Sequence, residues 1–265
     1  MTALDQLFTK VRAENRAALI AYIPAGFPSQ EGCHRVIAAF IAGGVDAIEI
    51  GYPYSDPVMD GPTIQAAAVT SLENGTGATE VLAALKYASA SVPSVVMTYW
   101  NPIERFGVSK FANAIADNGG SGVITPDLTI EESSEWVSAT EGSAINPIYV
   151  VAPSTKDARL AQVTSKCGGF VYAASLMGVT GARTSVSSSA AELVARVRKV
   201  TDLPIAVGLG VSTREQAKGV AAYADGVIVG SAFIKAMQDA ENEEAGLTAV
   251  TNLAKELAKG VREGR

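Results

Sequence analysis

The chain has 265 residues, 48% of them hydrophobic and 18% charged, with a formal net charge of −6. That mild acidity speaks against a nucleic-acid surface, which needs clustered Lys and Arg, and no apolar run reaches the roughly 18 residues of a membrane-crossing helix. The two cysteines, Cys33 and Cys167, lie far apart and the only histidine is His34, so a zinc or His-based metal site is not expected.

In chain order, the stretch up to Ala17 is polar and charged, unlike a signal peptide, and Ala3–Asn15 reads as a helix. With its unpaired thiols, the chain reads as a cytoplasmic protein. Short runs rich in Ala, Val and Ile then recur. The predicted strands are Ala18–Ile23, Ala47–Ile50, Ser94–Thr98, Gly122–Ile124, Asn146–Val150, Phe170–Ala173, Pro204–Val207 and Gly226–Val229. Helix-period segments between them cover Gln30–Ala42, Ser109–Asn118, Ile130–Ala139, Lys156–Thr164, Ala190–Val200 and Thr213–Ala221, and Ala245–Gly260 follows the last strand. Strands alternating with helices predict parallel βαβ units. Their near-continuous apolar character predicts burial on both faces. An open doubly wound sheet would carry a glycine-rich nucleotide turn after its first strand, and PAGFPS is not one. Eight units in a chain near 250 residues predict a (β/α)8 TIM barrel with extra N- and C-terminal helices. No Pro/Gly/Ser-rich linker interrupts residues 1–265, so a single domain is expected.

In such a barrel the chemistry sits at the C-terminal ends of the strands. The second strand contains an anomaly: Glu49 stands between Ile48 and Ile50, with no basic residue in the segment. A buried carboxyl either pairs with a distant base or has its pKa raised so that it exchanges protons near neutrality. We favour the second. The following loop, GYPYSDPVMDGPTIQ, adds Asp56, which can organise a turn before Pro57, and Asp60, which spacing alone leaves as either a helix N-cap or a catalytic group. After strands seven and eight, VGLGVST and VGSAF offer Gly210, Gly230 and Ser231 as an anion cradle. GVTGARTS after strand six suits a closing loop. None of the predicted strands contains a lysine, which argues against a Schiff-base aldolase.

The segment DAIEIGYPYSDPVMDGPTIQ, with GVTG, GLGVST and GSAF in the same order, resembles the tryptophan synthase α subunit family. The resemblance implies retro-aldol cleavage of indole-3-glycerol phosphate to indole and glyceraldehyde 3-phosphate. It assigns proton transfer at indole C3 and the glycerol hydroxyl to Glu49, and the indole N–H contact to Asp60. Tyr172 matches a site tyrosine packed near Glu49, and Tyr22 and Tyr99 match aromatic residues of the indole pocket, where ordinary strand-end core is the other reading. Thr180 and Gly181 match the closing loop, and Gly181, Gly210, Gly230 and Ser231 match the phosphate cradle. Leu176 and Met177 stand where many members have an Arg-Ser pair, and Met59 where Ala is usual. The family implies no cofactor in this chain, and a β subunit carrying pyridoxal phosphate, in an α2β2 heterotetramer. Tyr52, Pro53, Tyr54, Pro57 and Met59 make the second loop apolar enough to meet such a partner. The rival readings are another phosphate-binding barrel, such as a sugar-phosphate isomerase, and a non-catalytic subunit that only activates its partner.

Overall fold

The computed structural model describes residues 1–174 and 188–265. Helix α1 (Ala3–Ala13) starts at a reciprocal cap: the Thr2 hydroxyl accepts the Asp5 N–H, and the Asp5 carboxylate accepts the Thr2 N–H. Next come β1 (Ala18–Pro24), α2 (Gln30–Ala42), β2 (Ala47–Gly51), α3 (Pro62–Glu73) and α4 (Ala78–Ser89). The chain continues through β3 (Ser94–Met97), α5 (Trp100–Phe106), α6 (Val108–Asp117), β4 (Gly122–Thr125), α7 (Ser134–Ser143) and β5 (Asn146–Val151). It ends with α8 (Asp157–Thr164), β6 (Val171–Ala174), α9 (Ser188–Val197), β7 (Ile205–Gly208), α10 (Arg214–Ala221), β8 (Gly226–Val229), α11 (Ser231–Gln238) and α12 (Glu243–Glu263).

All neighbouring strands pair in parallel and β1 closes on β8, giving the expected eight-stranded barrel. Every strand core expected from the sequence is present, with ends shifted by a residue or so. Helix α7 begins at Ser134, not Ile130, because Thr129–Glu132 closes a turn: the Glu132 N–H bonds the Thr129 carbonyl and the Thr129 hydroxyl donates to the Glu132 carboxylate. The connection from β2 to β3 holds the helices α3 and α4, neither of which is among the expected helices. Alanines at 66, 67 and 68 occupy buried and exposed positions of α3 alike, so its two faces look similar.

Side-chain parity organises the interior. Residues of alternate strand positions meet inside: Ala18 and Ile20 of β1, Ala47 of β2, Val95 of β3, Ile124, Ile148, Ala206 and Ile228 form one buried cluster. Leu4, Phe8 and Val11 of α1 join that cluster from the N-terminal side, with the Phe8 and Phe170 rings 5.6 Å apart. Helix α1 is therefore the barrel's floor. Beside it, Arg16 makes a bidentate pair with Asp46, both bonds 2.9 Å, and the same carboxylate accepts the Leu19 N–H. That pair ties the start of β1 to the start of β2.

Candidate active site

The parity that buries Ala47 below also aims Glu49 inward one layer higher, in register with Tyr22 of β1 and Val95 of β3. Continuing the same alternation upward gives the walls of a cavity of about 300 Å³: Tyr22, Glu49, Met97, Val150, Tyr172, Gly208 and Ile228 from the strands, with Asp60 and Ile64 from above. Gly210, Gly230 and Ser231 line one side of it. The apolar walls explain the chemistry available to the acids.

Glu49 is 1% exposed and its Oε2 has no hydrogen-bond partner. Burial, and next the negative charge of Asp60, push its carboxyl up to about 8. At neutral pH it is mostly a neutral acid, with a proton to give. Asp60 sits where β2's following loop turns back over the cavity. Gly61, not Asp60, is the N-cap of α3, with Pro62 at the first helical position. The carboxylate is thus free of capping duty and faces the cavity. Burial raises its pKa, while a hydrogen bond from Tyr99 opposes the rise.

Tyr99 follows β3 and grips this loop twice. Its hydroxyl accepts the Met59 N–H at 3.0 Å and donates to Asp60 Oδ2 at 3.1 Å. Tyr99 is not among the cavity's lining residues; its ring lies against Tyr54, centroids 5.3 Å apart. Gln65 adds a third tie, from its amide to the Asp60 carbonyl at 2.8 Å. Tyr22 and Tyr172 flank the acids, and burial together with both carboxylates holds each phenol well above its ordinary pKa. Both rings fit only because a glycine stands opposite: a Cβ on Gly51 would strike the Tyr22 hydroxyl, and one on Gly208 the Tyr172 hydroxyl. Gly51 and Gly208 had no signal of their own in the sequence, nor did the lining residues Met97, Val150 and Ile64. Inward parity from Glu49 would have found the first two.

Gly230 and Ser231 begin α11, whose cap has no side-chain hydrogen bond, and Gly210 holds φ at +68° beside them. A helix start with free N–H groups beside a left-handed glycine turn is a receptor for an oxyanion. Thr180 and Gly181, with Leu176 and Met177, lie outside the described residues. Of the apolar second loop, Val58 and Met59 are 77% and 47% exposed, while Pro53 is buried and Tyr52 and Tyr54 are partly covered. Among the described residues no three His, Cys, Asp or Glu side chains converge as metal ligands.

Comparisons with known proteins place the chain in a family. The family model described as tryptophan synthase alpha chain matches residues 8–262. Curated tryptophan synthase alpha chains from Streptomyces avermitilis and Thermobifida fusca are 53% and 51% identical, covering 98% and 99% of this chain and 95% and 98% of theirs. The chain superposes on tryptophan synthase from Mycobacterium tuberculosis with a TM-score of 0.92 at 48% identity, over 98% of each chain. A tryptophan synthase subunit alpha from Legionella pneumophila gives 0.87 at 30% identity, again over 98% of each. The chain belongs to the tryptophan synthase alpha chain family.

Proposed function

We propose that this chain catalyses the family's retro-aldol reaction, cleaving indole-3-glycerol phosphate to indole and glyceraldehyde 3-phosphate. One observation carries the reading: two carboxyl groups face a single apolar cavity whose other wall is a glycine-lined helix start suited to phosphate. The neutral Glu49 donates its proton to indole C3, and the ring nitrogen takes up the positive charge. Asp60 accepts the indole N–H and stabilises that charge. The bond between C3 and the glycerol carbon then breaks, its electron pair returning to the ring. The proton of the hydroxyl on that carbon passes to the Glu49 carboxylate as the aldehyde forms, which restores the acid. The indole is its own electron sink, so the side chains of this protein supply all the groups the step needs.

Gly210, Gly230 and Ser231 hold the phosphate in this scheme, and Thr180 and Gly181 close over it. Tyr22 and Tyr172 bracket the indole. Tyr99 acts on Asp60, holding the carboxylate and its loop in place. The partner is a β subunit bearing pyridoxal phosphate, docked on the exposed Val58–Met59 loop in an α2β2 assembly, in the cytoplasm. The test is release of indole from indole-3-glycerol phosphate by the purified chain, with and without a β subunit. Glu49→Gln is expected to bind substrate and release no indole. Near-normal turnover by that variant would overturn the assignment.

A further inference from the structure

At the end of the barrel away from the cavity, Asp225, immediately ahead of β8, is surrounded by arginines. Arg198 beyond α9 meets its Oδ2 at 3.0 Å, Arg265 beyond α12 meets Oδ1 at 3.1 Å, and Arg12 of α1 lies 3.5 Å from Oδ2. The Ile205 N–H also donates to this carboxylate, at 3.0 Å. Burial alone would raise the Asp225 carboxyl; that N–H and the guanidinium charges hold it below its usual range. The carboxylate is 3% exposed, whereas the arginine side chains remain 40% (Arg12), 38% (Arg198) and 20% (Arg265) exposed.

One carboxylate balances one guanidinium, so the cluster keeps a surplus of positive charge in a chain that is acidic overall. The other hydrogen bonds of these arginines go to neutral carbonyls: Arg12 to Asp202, Arg198 to Tyr223, and Arg265 to Ala221 and Ala224. Those bonds add no negative charge, and they hold the guanidinium planes in fixed orientations. A surface cavity of about 610 Å³ opens among the three arginines, Asp225, Asn15 and Tyr223. The Tyr223 hydroxyl is buried and has no hydrogen-bond partner. Planar, oriented guanidinium groups are the side chains best matched to tetrahedral oxyanions.

We propose that this cavity is a second anion site, binding a multiply charged oxyanion of the phosphate class on the face opposite the catalytic mouth. Such a ligand joins α1, the end of α9 and the end of α12 through one set of contacts, and it stabilises the folded chain by mass action.

Inorganic phosphate titrated at constant ionic strength, followed by 1H–15N spectra and thermal midpoint, tests this. The cradle at Gly210 and Ser231 also offers phosphate a place, so the titration is run in parallel on Ser231→Asp, whose carboxylate repels the ion there. Saturable shifts of Arg12, Arg198 and Tyr223 signals are expected in both proteins. Arg198→Gln should weaken them at least tenfold while indole release stays within twofold of the parent. A purely structural ion cluster predicts a lower midpoint for Arg198→Gln and no phosphate-dependent shifts at this face, which overturns the proposal. Shifts confined to the cradle, or linear to the highest concentration, overturn it equally. If Arg198→Gln does not fold, Arg12→Gln removes the longest of the three contacts and carries the same comparison.

Discussion

Glu49→Gln should make the protein more stable, by an amount that depends on pH. The wild-type carboxyl has a folded pKa of about 8 because it is buried in an apolar cavity beside Asp60; in the unfolded chain it returns to about 4.3. Below pH 4 both states hold the proton and burial of the neutral acid carries no ionisation penalty. Between the two pKa values only the unfolded chain releases its proton, so stability falls as pH rises, by about 1.4 kcal/mol per unit. Above pH 8 the folded carboxyl ionises as well and the loss levels off. The glutamine amide of the variant cannot titrate. The stability difference between Glu49→Gln and wild type should therefore grow by about 2.3 kcal/mol from pH 6 to pH 8, where the folded carboxyl is half ionised, and flatten above it. In thermal terms that is on the order of 5–10 °C for a chain of this size. Urea denaturation of both proteins at half-unit pH steps measures it directly, with the slope on denaturant held as the control for two-state behaviour. A difference that stays constant across pH 6–8 would refute the raised pKa, and with it the idea that Glu49 is a stored proton at neutrality.

Under the proposed mechanism Asp60→Asn removes the charge that stabilises the indole nitrogen and should lower kcat about 10²–10³-fold, the scale of one lost transition-state contact; an unchanged kcat would leave Asp60 a spectator. Tyr99→Phe deletes both grips on the second loop, and the lost bond to a carboxylate should lower kcat/KM about 10–100-fold. Because that hydroxyl stabilises the charged form of Asp60, its loss raises the Asp60 pKa, and the acid limb of the pH–rate profile should move to higher pH. A profile superimposable on wild type would sever Tyr99 from Asp60. Arg16→Met leaves the Asp46 carboxylate, 10% exposed, with only the Leu19 N–H as partner and should cost about 3 kcal/mol in chemical denaturation, with kcat at low temperature untouched; a loss under about 1 kcal/mol, the scale of a solvent-exposed pair, would show that water reaches it.

The sequence was most informative where burial is symmetrical. Runs such as Ala18–Ile23 and Gly226–Val229 are apolar on both faces because helices cover one side and the barrel interior fills the other, so composition alone marks them. Glu49 stood out for the same reason, as a charge in a register of apolar side chains. Helix α3 is hard to read because its local pattern carries little contrast, alanine fitting a buried and an exposed position equally well, whereas α4 does carry a helical stripe in Val81, Ala84, Leu85 and Ala88. The role of Asp60 was ambiguous because DGPT satisfies the rules for a cap and for a functional loop alike, and only the backbone at Gly61 separates them. Contacts between distant residues were out of reach in principle. Tyr99 meets Asp60 across 39 positions, and Gly208 makes room for Tyr172 across the seam of two strands. Neither partner changes the periodicity around the other.

The floor made by Leu4, Phe8 and Val11 has a kinetic meaning. Among the described residues the lower end is sealed, and the cavity is a well that opens at the rim of loops. A protein seated over the rim would stand in the path of a small uncharged molecule leaving the well, and would intercept it before it reaches solvent. A plugged floor thus favours delivery over free diffusion.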